Sequence, residues 1–223
     1  MAISLLDIRG SPNIGVYTLT TDLYTVLPIE VSEAKKETIK KFLNTEIIYT
    51  SIGDSTLLGV LSRANSNGIL VPYYTHDEEI EKIRKAVDVN VVKMDCNKTA
   101  LGNLVLANDR GVVVDPELTE EKGVVKQIED ALGVEVVQGT IVGLPYVGSL
   151  AVATNKGVLT HPMLREDERK LLEDVLKVPV EVGTVNRGVP FVAPGLMANS
   201  FGVLAGFITT GPEIVMLSQS LDR

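Results

Sequence analysis

One phrase recurs along this 223-residue chain, and it limits the possible folds more than any other feature. Residues 65–72 read NSNGILVP, residues 108–116 read NDRGVVVDP and residues 155–162 read NKGVLTHP. In each, an Asn leads through a short polar turn to Gly, an apolar run and Pro. The glycines that precede the phrases, Gly15, Gly59, Gly102, Gly148 and Gly195, are spaced by 44, 43, 46 and 47 residues. The prolines Pro28, Pro72, Pro116 and Pro162 are spaced by 44, 44 and 46. Two independent markers therefore agree on a period of about 45 residues in five copies, the size of unit that builds propellers and arrays.

Within a copy, two short apolar runs flank the Asn turn (LVLA and GVVV in the third copy). Such a pair, separated by a few residues containing Gly, predicts a β-hairpin. A charged segment with helical spacing follows. Ile39, Phe42 and Leu43 share a face, as do Ile80, Ile83 and Val87, then Val124, Val125, Ile128 and Leu132, then Leu171, Leu172, Val175 and Leu176. Thr75 with Glu78, and Thr210 with Glu213, have capping-box spacing and predict helix starts. A third apolar run (EIIYT, VNVVKM, VEVVQG, VPVEVG) completes each unit as strand–strand–helix–strand. The expected class is mixed α/β.

The fifth copy lacks its last strand, while an unassigned apolar run, AISLLDI, precedes the first. The economical solution joins these ends, so that the N-terminal strand completes the fifth module and closes a ring without open edges. The modules are then approximately 14–58, 59–101, 102–147, 148–194, and 195–223 completed by 1–13, all within one domain. A closed ring leaves no strand edge demanding a partner, so a monomer is expected.

Composition narrows the function. A net charge of −8, a pI near 4.9 and 4% aromatic residues without Trp argue against binding DNA, free RNA or an anionic membrane. No apolar stretch approaches a membrane span and no signal peptide is evident. The single cysteine, Cys96, fits a cytoplasmic setting. Metal-ligand spacings and phosphate-binding loops are missing, so no cofactor and no metal is expected.

A five-module ring of this kind resembles the pentein fold, a five-bladed α-β propeller with pseudo-fivefold symmetry. ALGN at 100–103, YVGS at 146–149, and above all VPVEVGTVNRG at 178–188 with APG at 193–195, are similar to the translation initiation factor 6 family in its archaeal form. NGILVP, KGVLTHP and SIGDSTLLG fit it as well, and the likeness covers essentially the whole chain. The resemblance implies a ribosome anti-association factor without catalytic groups. Such a factor binds the large ribosomal subunit near the sarcin–ricin loop, on ribosomal protein fourteen and its neighbours, and blocks the small subunit sterically. It also implies that large-subunit contacts fall beside the module glycines, at Gly102, Asn103, Gly148, Ser149, Leu150, Asn186 and Arg187. Gly102 and Gly148 read as backbone turns before contacts, and Asn103 reads equally as an ordinary turn residue.

Other penteins modify guanidino groups with a Cys nucleophile, a His and acidic residues, which makes Cys96 with His76 or His161 the rival reading. Those enzymes carry their cysteine in the last module, whereas Cys96 lies in the second, where a lone Cys reads as a small buried apolar residue. The acidic clusters at 77–79, 119–121 and 165–168 sit at expected helix starts, where carboxylates suit the macrodipole. His161 reads as a strand-end residue and His76 as a solvated one.

Overall fold

Each Asn or Thr hairpin turn feeds a three-stranded sheet, and the computed structural model, which describes residues 2–222, contains five of them. The first comprises Leu19–Thr20, Tyr24–Leu27 and Glu46–Tyr49, and the second Arg63–Ala64, Gly68–Pro72 and Asn90–Met94. The third comprises Val105–Ala107, Val112–Val114 and Val136–Gln138, and the fourth Ala151–Ala153, Val158–Thr160 and Val180–Val182. In every one the first two strands pair antiparallel and the third lies parallel to the second. A parallel pair needs a crossover, and the amphipathic segment supplies it as a helix.

The fifth sheet pairs Leu196–Ala198 with Gly202–Gly206 and takes its third strand from the other end of the chain. Ala2–Leu6 runs parallel to Gly202–Gly206, with Ala2 opposite Gly202 and Leu6 opposite Gly206. The five modules thus form the pentein architecture expected from the repeat.

Helices sit where the periodicity places them: Glu33–Leu43, Asp77–Ala86, Val124–Leu132, Glu166–Leu176 and Gly211–Leu221. Three local expectations are corrected. The capping box of the second helix is one residue later than Thr75 and Glu78: Glu79 Oε2 accepts the His76 N–H at 3.0 Å, while the Thr75 hydroxyl donates to the Pro72 carbonyl. The third module carries two helices, because Asp115 caps a short Pro116–Glu120 turn and Gly123, at φ +83°, breaks the chain before Val124. The cluster at 119–121 therefore ends a helix rather than starting one. Thr210 and Glu213 cap as expected.

The repeated phrase has a physical reason. Asn65 Oδ1 accepts the N–H groups of Asn67 and Gly68, closing the turn, while its Nδ2 donates to Asn108 O of the next module and to Leu132 O at that module's helix end. Asn108 repeats this onto Thr154 and Leu176, and Asn199 onto Thr21 and Leu43, so the fifth module is tied to the first by the same device. The following glycine admits the neighbouring helix: a Cβ at Gly68 would lie 2.2 Å from Ala131 O, and one at Gly111 2.3 Å from Val175 O. In the fourth module the turn-closing residue is Thr154 and not Asn155, since the Thr154 hydroxyl accepts from Lys156 and Gly157. The written phrase is slipped there by one residue.

Five apolar clusters, one per module interface, fill the space between sheets and helices. At roughly 25 cal/mol per Å² of apolar surface, their burial is the main force holding helix to sheet. A lone module leaves one side of its sheet bare, so the modules are stable only as neighbours.

A candidate interaction face

The first strand of each module leaves one end of the ring, the second returns to it, and the helix starts there. The loops before the first strands, the ends of the second strands and the helix N-termini therefore share one face. The Asn and Thr hairpins occupy the other. His161, at a strand end, stacks edge-on against Phe191 in a pre-strand loop, with ring centroids 6.5 Å apart, as this arrangement requires.

The module glycines are the pivot of that face. Each lies in a short helical turn just before its strand, and the turns touch one another in a closed circuit. A Cβ on Gly59 would meet Gly15 O at 1.9 Å, one on Gly102 would meet Gly59 O at 1.9 Å, and one on Gly148 would meet Gly102 O at 2.2 Å. Gly15 closes the circuit against Ala193 O at 2.1 Å. The fifth residue of the set is thus Ala193, and the sequence marker Gly195 lies two positions beyond it. Outside these five stand Val16, Val60, Asn103, Ser149 and Pro194, around a shallow mouth of about 200 Å³ on the axis.

Asn103 and Ser149 therefore occupy the same site in neighbouring modules, Asn103 partly exposed and the Ser149 hydroxyl donating to Tyr146 O. Gly102 and Gly148 lie beneath them as packing glycines. Leu150 is fully buried in the core of the fourth module. Asn186 is also enclosed: its Nδ2 donates to Pro12 O, and its Oδ1 accepts from the Thr209 hydroxyl, so it stitches the fourth module to the fifth. Arg187 is exposed beside it. Of the seven residues, Asn103 and Arg187 present the most side chain to a partner, and the structure brings the others under or between them.

The loop carrying Asn186 and Arg187 is held by a charge. Asn186, Arg187 and Gly188 all have positive φ (52°, 67° and 93°), turning successive N–H groups inward. Glu213 accepts from Arg187 N at 3.2 Å, Gly188 N at 2.8 Å, Thr210 N at 2.7 Å and the Thr184 hydroxyl at 2.9 Å. Burial works against this carboxylate, but the N–H groups of Thr210 and Gly188 and the two Thr hydroxyls outweigh it, holding its pKa down to about 2. Glu79 does the same for Gly53 and Asp54, and Glu168 for Val142 and Gly143, with their pKa values lowered by the N–H donors despite burial. Within the acidic clusters, these two carboxylates are structural clamps.

Sequence reasoning missed the apolar character of this face. Of the fifteen exposed large apolar side chains among the described residues, ten lie on it. Leu57, Tyr146 and Phe191 stand just outside the axial mouth, Leu144 and Val189 in the clamped loops, and Ile29, Tyr73, Tyr74, Met163 and Phe207 after the second strands. The hairpin face has Leu23 and Phe201. The signal lay in the repeat: aligned by module, positions 57, 146 and 191 are the same slot, as are 29, 73, 163 and 207. A gathering of exposed apolar side chains on one face points to a contact site.

The nucleophile reading finds no geometry. Cys96 is buried with its thiol donating to Lys98 O at 3.1 Å, and burial together with the Glu121 charge raises its pKa, the reverse of what a thiolate requires. His161 is buried and its Nδ1 accepts from Met163 N, while His76 is exposed and pairs with Asp54 at 3.1 Å. No group of three or more potential metal ligands occurs among the described residues, and no helix is long and apolar enough to cross a membrane.

The eIF-6 family profile matches residues 3–220. A Pyrococcus horikoshii protein named translation initiation factor 6 is 42% identical over 99% of both chains. A Methanocaldococcus jannaschii protein of the same name is 44% identical over 95% of this chain and 94% of its own. A Staphylothermus marinus protein, also of that name, is 38% identical over 100% and 98%. Among solved structures, a Pseudomonas aeruginosa DDAH mutant complexed with citrulline is 12% identical, with a TM-score of 0.45 over 75% of this chain and 67% of its own.

Proposed function

Because the chain belongs to the eIF-6 family, whose archaeal relatives are named as translation initiation factors, we propose that it is a cytoplasmic ribosome anti-association factor. It binds the large ribosomal subunit through the face that carries Asn103 and Arg187, and its bulk blocks the small subunit. The reaction is pure occlusion and asks for no catalytic residue.

The observation that carries the choice of face is the gathering of ten of the fifteen exposed large apolar side chains on one side of the ring. Aromatic and apolar anchors dominate binding energy at protein interfaces, whereas a bare phosphate surface would reward basic residues that this chain, at −8, does not concentrate. A contact made largely with basic ribosomal proteins suits both the acidic chain and the apolar face. Ribosomal protein fourteen of the large subunit and its neighbours beside the sarcin–ricin loop are the expected partners, and the ring acts as a monomer.

Sedimentation with purified subunits tests the reading. The chain is expected to travel with the large subunit alone and to reduce the amount of joined ribosomes. A chain that stays at the top of the gradient would remove the proposal. The face is tested separately. Phe191→Ala is expected to weaken binding by about tenfold or more, as a truncated aromatic anchor does. Asn103→Asp is expected to lower affinity in the same direction, and neither change should move the melting temperature, since both side chains are exposed in part. Wild-type affinity for both variants would transfer the contact to the hairpin face.

A further inference from the structure

The axis of the ring holds a small compartment. At the hairpin end it is plugged by five residues that occupy one position in the five modules: Asp22, Ser66, Asp109, Asn155 and Ser200. Ser66 and Ser200 donate to Asp109 and Asp22, and Asn155 Nδ2 bridges both carboxylates at 2.6 and 2.9 Å. At the other end the glycine turns close in. Between them is a space of about 60 Å³, lined by small side chains such as Ala64, Ala107, Ala153 and Ala198.

One cationic side chain enters this space, at the end away from the Asp22 and Asp109 carboxylates. Arg63 stands where the sister modules carry Leu19, Leu106, Val152 and Met197, each on the first strand opposite an apolar residue of the second. Its Nη2 donates to Gly102 O at 2.5 Å and to Gly148 O at 2.9 Å. Its Nε–H is buried and has no acceptor. Among the described residues no carboxylate lies within ion-pair distance of the guanidinium; the ion pairs of the molecule lie elsewhere. Burial pushes the Arg63 pKa down to about 10, which leaves the group charged at neutral pH. The accessible surface it keeps faces the axial space that it lines.

A buried charge is tolerated when it is paired. Two carbonyl dipoles satisfy one nitrogen of the fork and leave a full positive charge beside the axial space. We propose that the axial space is an anion site, in which Arg63 holds one small inorganic monoanion of chloride size against the edge of its guanidinium that the space reaches. The small lining residues and the narrowed ends limit the ligand to a few atoms, and the single guanidinium limits it to one charge. The anion neutralises Arg63 at the glycine-turn end of the axis and acts as an internal fastener between the second, third and fourth modules, whose backbones Arg63 already links.

The test uses bromide as a probe for the halide. Crystals of the full chain grown in sodium bromide are expected to show an anomalous peak on the axis beside Arg63, absent in Arg63→Met. This variant is chosen because Met197 occupies the equivalent position, so folding is retained. In solution, the melting temperature in chloride is expected to exceed that in gluconate at equal ionic strength. The gap is roughly 3–5 °C when the halide is at about ten times its Kd, and it vanishes in Arg63→Met. A wild-type axis that holds water alone in bromide overturns the proposal. So does a chloride effect, or a bromide peak, that survives in Arg63→Met.

Discussion

Gly59→Ala is expected to lower the melting temperature by roughly 10 °C or more, a larger effect than a methyl group causes at most sites. The added carbon would sit 1.9 Å from Gly15 O and 2.5 Å from Thr18 O. Both are backbone atoms of the neighbouring module and cannot rotate away, so the only relief is to separate the modules. Gly102→Ala repeats the experiment one module on, against Gly59 O. Gly211→Ala is the control, since nothing lies within 4 Å of its Cβ position and its backbone is helical. Thermal denaturation of the three variants decides the matter. A Gly59→Ala protein that melts within about 2 °C of wild type would mean that the central circuit is looser than these distances imply.

Glu213→Gln is expected to cost about 3 kcal/mol at neutral pH, which corresponds to a fall of roughly 6–12 °C. The figure follows from a carboxylate held at about 2 in the folded chain against an ordinary value near 4.5. The sign of the pH dependence is fixed by the same pair of values. A depressed carboxylate contributes its stabilisation in full above about pH 4.5 and loses it as the pH falls towards 2. The gap between wild type and Glu213→Gln should therefore shrink by more than half between pH 7 and about pH 3. An offset that stays constant over that range would show that the lost stability is packing and not charge. Because the clamp holds Arg187 on the interaction face, the variant should also bind the large subunit more weakly at temperatures well below its transition.

Much of this architecture was legible in the residues because the repeat is written in two registers at once. Proline and glycine spacing counted the modules, and the switch from period two to period 3.6 ordered strands and helix within each. What spacing could not resolve was a one- or two-residue slip where another residue performs the same task. Thr154 closes a turn that Asn65 and Asn108 close elsewhere, because a hydroxyl can accept the same two N–H groups. Ala193 takes the place of a module glycine because one junction of the five tolerates a methyl group. At the candidate face, Asn103 and Arg187 were suggested by family likeness, while Leu57, Tyr146 and Phe191 were not. Their shared slot emerges only once the modules are superposed, and an exposed apolar residue in a loop has no signature of its own.

The pairing of Ala2–Leu6 with Gly202–Gly206 has a consequence in time. The two strands are 200 positions apart, so at about 5–20 residues per second of synthesis the first waits roughly 10–40 s for the second. Throughout that interval, four modules can assemble in order behind a leading strand that has nothing to pair with. Closure is a single late event, and it converts a one-dimensional stack into an object with no terminal unit. Protease digestion of ribosome-held chains of increasing length, each extended by a C-terminal spacer that spans the exit tunnel, should show it as an abrupt gain of resistance once residue 206 has emerged, with no comparable step at earlier module boundaries. A newly made copy thus closes its ring only once residues 202–206 are free to pair with its first strand.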